Sequence, residues 1–144
     1  MDRLDRLEAI EEIRALKARY FRYMDTKQFD RLHDVFADDF EVISPDGQVW
    51  MSGGPAFAES LRSSLSNCVS AHQGFSPEIE IIDADNASGI WPMQDMIRWE
   101  DRHPREGWKA IVGRGHYHDT YRRVDGRWRI ATLSLVRLSL EIER

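Results

Sequence analysis

Cysteine is nearly absent: Cys68 is the only one in 144 residues. An intrachain disulfide is therefore excluded, as is any multi-cysteine metal site within one chain, and Cys68 itself reads as a small buried hydrophobe. Basic charge is also in deficit, with 20 Lys and Arg against 25 Asp and Glu, a formal net charge of −5 and a pI near 5.5. Surfaces that work by neutralising phosphates concentrate cations, so nucleic acid is not an expected partner. The one basic cluster, Arg122, Arg123, Arg127 and Arg129, flanks Asp125-Gly126 and reads as the solvated end of a hairpin. Long apolar runs are missing too. The N-terminal Met1-Asp2-Arg3-Leu4 lacks the apolar core of a signal peptide, and no stretch approaches the roughly 20 residues that cross a bilayer. The expectation is a cytoplasmic protein with no membrane partner. With no repeat, linker or low-complexity segment, residues 1–144 read as a single domain.

What is present is enough to fold, since 42% hydrophobic residues with 31% charged is far from the composition of disordered chains. From Leu4 to Met24 the apolar positions Leu7, Ile10, Ile13, Tyr20 and Met24 recur at helical spacing, with Glu8, Glu11, Glu12, Arg14 and Lys17 between them. Phe29, Leu32, Val35 and Phe36 predict a second, shorter helix ending near Asp39, and Pro55 to Leu65 a third. A short strand at Phe40–Ile43 and a partner at Val49–Met51 bracket the Ser44-Pro45-Asp46-Gly47 turn. Beyond Asn67 the pattern turns to strands: 78–81, 88–99, 108–123 and 127–140, with Asp125-Gly126 as a strong hairpin signal. Helices first and an antiparallel meander after them is an α+β order. Three helices cannot cover both faces of strands this long, so a homodimer, or a higher homo-oligomer, through the free sheet face is expected.

Several residues could carry chemistry. His72 lies near the start of the strand region, outside any metal-ligand spacing, and is either a hydrogen-bonded structural residue or a base. Asp25 ends the first helix, where an acid suits either the cap of the next helix or a bond to one ring nitrogen of a strand histidine, which leaves the other nitrogen free. Asp95 falls in mid-strand on the face of Trp91, Met93, Ile97 and Trp99, where an unpaired acid is costly and a partner is needed. Arg137 shares a face with Leu133 and Leu135, and is either an anion contact or a strand-end charge with a snorkelling stem. His116, His118 and Asp119 look like a metal cluster until alternation is applied. Asp119 projects to the opposite face with Tyr117 and Tyr121, so no metal site is expected.

The run of Asp25, Phe29-Asp30-Arg31-Leu32, Phe36-Ala37-Asp38-Asp39, His72 and Gly113-Arg114-Gly115-His116-Tyr117-His118-Asp119 resembles the SnoaL-like group of the NTF2-like superfamily over the whole chain. Within the group it is similar to scytalone dehydratase, hexachlorocyclohexane dehydrochlorinase and bile acid 7α-dehydratase. The resemblance implies a cone with a curved, mixed or antiparallel sheet packed on three N-terminal helices around one pocket. It implies His72 as a base that takes a proton from carbon, Asp25 as its orienting partner, and no cofactor. Tyr20 matches a position where dehydratase relatives assist the leaving hydroxyl, although five helical residues, about 500° of rotation, separate it from Asp25. Asp95 and Arg137 match an acidic and a basic pocket position, and one face of the Tyr117 strand would line the pocket. Trp50, Phe75, Trp91 and Met93 are expected wall residues.

The function that follows is a cofactor-independent lyase or isomerase, dehydratase-like, abstracting a proton from a small, apolar, cyclic molecule. The alternatives are a non-catalytic small-molecule-binding protein on the same cone, or an interaction subunit with a filled pocket.

Overall fold

The computed structural model describes residues 1–144. Its first element, helix α1 (Arg3–Asp25), starts at Asp2, whose carboxylate accepts from the Asp5 backbone N–H at 2.8 Å while Asp5 accepts from Asp2 N at 3.0 Å. This reciprocal pairing satisfies two donors that a helix start otherwise leaves free. The buried stripe of α1 is Ala9, Ile13, Leu16, Lys17, Tyr20, Phe21 and Met24, whereas Leu7, placed on it from spacing alone, is exposed. Lys17, read above as part of the polar face, lies inside the stripe.

A 3-10 turn, Phe29–Asp34, follows α1, and strand β1 (Phe36–Ile43) starts four residues before the expected strand. The expected second helix is therefore shorter, and Ala37, Asp38 and Asp39 belong to the sheet. The reason is packing: Val35, Phe36 and Phe40 are buried, with Phe36 and Phe40 rings 4.3 Å apart and Phe57, from the helix that follows, against both. Helix α2 spans Gly54–Leu65. Strands β2 (Val49–Ser52), β3 (Cys68–Gly74), β4 (Glu78–Ile81), β5 (Asn86–Trp99), β6 (Ala110–Val124) and β7 (Arg127–Glu143) complete the chain.

The sheet runs β2-β1-β7-β6-β5-β3, with β4 beside β3 on the same edge of β5. Strands β4 to β7 form the expected antiparallel meander, and β1 joins β7 in parallel, so the sheet is mixed. The β6–β7 hairpin turns at Asp125 and Gly126, both at positive φ (51° and 77°), the geometry a two-residue loop requires. Of the arginines around it, Arg123 and Arg127 are exposed, but Arg122 pairs with Asp39 of β1 and Arg129 donates to the carbonyls of His33 and Asp34. Two of the four thus tie the hairpin to β1 and to the end of the 3-10 turn.

Alternation gives the sheet an inner face under α1, carrying Ser70, His72, Trp91, Met93, Asp95, Tyr117, Asp119, Tyr121 and Leu133, and an outer face carrying Val69, Met96, His116, His118 and Val136. The architecture is α+β, with helices packed on a curved, unclosed sheet. No helix is long and apolar enough to cross a membrane.

Candidate functional site

Register places the site. His72 of β3 pairs with Asp95 of β5, which pairs with Gly113 of β6, and Gly115 pairs with Arg137 of β7. These pairings bring the inner-facing side chains of His72, Asp95 and Arg137 together across the four strands, and α1 ends above them.

Asp25, the last residue of α1, is held by three donors. The His72 backbone N–H donates to Oδ2 at 2.7 Å, the Ser70 hydroxyl to Oδ1 at 2.8 Å, and His72 Nδ1 lies 2.6 Å from Oδ1. Burial alone would raise the Asp25 carboxyl, but the hydrogen bond and charge of His72, with the bonds from the His72 backbone and Ser70, hold it below the ordinary aspartate value. An ionised carboxylate only accepts, so in the neutral imidazole Nδ1 carries the ring proton and Nε2 has the bare lone pair. Phe21 lies nearly parallel to the imidazole, at 10° and 6.5 Å between centroids.

Nε2 faces Asp95, whose Oδ2 is 3.9 Å away, too far for a hydrogen bond. Asp95 is 2% exposed and is held by both terminal nitrogens of Arg137, each at 2.9 Å. This is the partner that an acid on an aromatic face needs. Burial works against the Arg137 charge, yet the bonds and charge of Asp95 outweigh it and raise its pKa. The fork is built over a glycine: a Cβ on Gly113 would sit 1.8 Å from an Arg137 nitrogen and 2.3 Å from Asp95 Oδ1. Gly113 is the functional residue that sequence reasoning passed over, and its signal was a glycine in mid-strand, where close approach of another group is the usual cause.

Tyr20 is buried against Tyr117, edge to face at 6.2 Å, and burial first, then the Asp119 charge, pushes its hydroxyl far above the ordinary tyrosine range. It stays a neutral donor and is a poor proton source. Tyr117 is raised in the same way, by burial and by the neighbouring Tyr20. Trp91 and Met93 are buried on the inner face, and the Trp91 indole donates to Tyr121 at 2.8 Å. Trp50 and Phe75 need correction as walls of an enclosed pocket, because they are 68% and 49% exposed. Trp50 lies on edge strand β2 and Phe75 just past the end of β3, where nothing covers them.

A second carboxylate on the inner face is sealed. Lys17 of α1 and Asp119 of β6 are both 0% exposed and pair at 2.8 Å, with the Lys17 ammonium 3.8 Å from the centre of the Tyr117 ring. Tyr121 donates to Asp119 Oδ2 at 2.8 Å. Burial lowers the Lys17 pKa against the opposing pull of Asp119. Lys17 was missed from sequence, although a gap in the apolar stripe four residues after Ile13 and three before Tyr20 marked it. His116 and His118 project from the outer face, away from Asp119, and no cluster of three metal-ligating side chains occurs. The main surface concavities, about 230 to 650 Å³, lie away from His72, whose side chain is only 6% exposed.

Comparison with known proteins places this geometry in a wider group. A hexachlorocyclohexane dehydrochlorinase of type 2 superimposes with a TM-score of 0.81 at 21% identity, over 99% of this chain and 94% of its own. A scytalone dehydratase-like protein from Novosphingobium aromaticivorans gives 0.83 at 18% identity, over 97% and 91%. A Mycobacterium tuberculosis protein of unknown function gives 0.77 at 26% identity, over 95% and 76%. These likenesses establish the fold. The model of the SnoaL-like domain matches residues 5–134, most of the chain, and the protein belongs to the SnoaL-like family.

Proposed function

We propose that the protein is a cofactor-independent lyase or isomerase of the dehydratase or dehydrohalogenase type, in which His72 Nε2 takes a proton from carbon of a small, apolar, cyclic molecule. The observation that carries this reading is the triple-donor seat of Asp25, which commits the Nδ1 proton and bares Nε2. The C–H electron pair becomes the new double bond as the leaving group departs with its own pair, and the proton stays on Nε2. Asp25 stabilises the imidazolium that forms. Arg137 is the group suited to an anionic leaving group or a developing oxyanion, because its guanidinium is fixed by Asp95 and remains partly exposed. Tyr20 would contribute as a neutral hydrogen-bond donor, and Trp91, Met93 and Tyr117 as apolar lining. A positioned general base is worth roughly 10²–10⁴-fold.

A rival reading, an interaction subunit with a filled interior, is favoured by one observation: Trp91, Met93 and Tyr117 are buried, and His72 is nearly so. Titration with cyclic hydroxy and halo compounds, followed at the His72 ring by NMR, separates the two. Ligand-dependent shifts with release of water or halide support the enzyme; shifts without turnover leave a binding protein; an unresponsive His72 leaves the interaction subunit. The reading includes a homodimer through the outer face, where Val69 and Met96 are exposed beside Ala71 and Val112. Light scattering on wild type and Val69→Glu tests it: a dimer that dissociates supports the interface, and a wild-type monomer removes it.

A further inference from the structure

The turn that closes α1 holds an unusual residue. Lys27 N donates to Met24 O at 3.3 Å and Gln28 N to Tyr23 O at 2.7 Å, the paired bonds of a left-handed helix cap. Lys27 occupies the left-handed position, with φ 63°, where glycine is the usual occupant because a Cβ is crowded there. The side chain turns inward. Its ammonium donates to Ser70 Oγ at 3.0 Å and to Cys68 Sγ at 3.2 Å, both on the strand that carries His72.

An ammonium only donates, and a hydroxyl has one proton. With Lys27 on one side of Ser70 Oγ, that proton points to Asp25 Oδ1, 2.8 Å away. Cys68 is fixed likewise, giving its proton to the Leu65 carbonyl at 3.1 Å. The donors therefore run in one direction, from Lys27 through Ser70 to Asp25. The other charged or titratable groups around the pair are Lys17 and Tyr20 of α1, Cys68 of β3, Asp95 of β5, Tyr117 of β6 and Arg137 of β7. None of these is hydrogen-bonded to a partner of Asp25.

We infer that Lys27 is a positioning residue for the Asp25–His72 pair: it fixes the direction of the Ser70 hydroxyl and so holds Asp25 as an acceptor for the His72 Nδ1 proton. The inference rests on the reading of His72 as a base. It explains why a lysine occupies a backbone position that suits glycine.

The test is the NMR titration of His72 in the full chain, in wild type, Lys27→Gly, Ser70→Ala, the double variant and Asp25→Asn. Lys27→Gly suits the left-handed turn, so thermal stability should not fall. Removing the cation and loosening Ser70 both favour the imidazolium, so the His72 midpoint should move up by about half a pH unit in Lys27→Gly. The double variant should move by less than the sum of the single shifts, because Lys27 acts through Ser70. A midpoint unchanged in Lys27→Gly but moved in Asp25→Asn overturns the role of Lys27 and leaves the base reading intact. A midpoint unchanged in Asp25→Asn overturns the base reading itself.

Discussion

Two carboxylates at the inner sheet face, Asp119 on β6 and Asp25 at the end of α1 above it, have similar ingredients and opposite consequences. Asp119 is paired with Lys17 in a sealed interior, capped by Tyr121 and roofed by aromatic rings. Asp25 is paired with an imidazole that has a second nitrogen, and that nitrogen faces Asp95 of the Asp95–Arg137 fork, 3.9 Å away. A lysine ends the chain of partners; a histidine passes it on. A buried carboxylate thus ends in a closed ion pair in one place and seats a group with a second ring nitrogen in the other, and the partner decides which.

The comparison can be broken at its sealed end first, where the largest effect is expected. Lys17→Met leaves Asp119 buried without a cation and should destabilise the protein by about 3–5 kcal/mol. Lys17→Met with Asp119→Leu removes both charges and should recover much of that loss in denaturant unfolding. Equal destabilisation in the single and double variants would mean that shape, not charge, accounts for the pair.

At the other end, Asp25→Asn should lower the His72 titration midpoint by about one pH unit or more, as expected on losing an adjacent carboxylate. The same variant tests acid stability. The folded-state pKa of Asp25 lies below its ordinary 3.8, so its stabilisation is complete above that value and is lost as pH falls through the depressed folded value. Asp25→Asn should therefore unfold with a flatter pH dependence below about pH 4 than wild type. A profile unchanged by the substitution would show that the Asp25 seat contributes nothing to folding.

The smallest effect sharpens the fork. Gly113→Ala puts a methyl where an Arg137 nitrogen and Asp95 Oδ1 now sit, and both are ends of side chains that can move. Stability should fall by only about 1 kcal/mol, because one of the two bonds can be kept, and a crystal structure should show the bidentate contact reduced to a single one. A retained fork would mean that the strands shift instead.

Much of this was legible in the sequence because it rests on period and turn chemistry. The 3.6-residue stripe of α1, the alternation through Trp91, Met93, Asp95 and Ile97, and Asp125-Gly126 each report local geometry that folding preserves. The early start of β1 was not legible, since Val35 to Phe40 is apolar enough for either state and packing against α2 decides it. Asp25, His72, Asp95 and Arg137 could be named singly, but their meeting depends on the pairing of His72 with Asp95 and Gly115 with Arg137 across four strands. Lys17 and Lys27 were missed because lysine reads as a surface residue, and each is drawn inward by a partner remote in sequence: Asp119 for one, Ser70 for the other.

The central claim is that His72 carries its proton on Nδ1 and keeps Nε2 bare. Two-bond ¹⁵N–¹H correlation of the His72 ring near neutral pH measures this directly. The account predicts a protonated Nδ1 and an unprotonated Nε2 in wild type, with that preference lost in Asp25→Asn. A wild-type ring with its proton on Nε2, or one indifferent to Asp25, would contradict it.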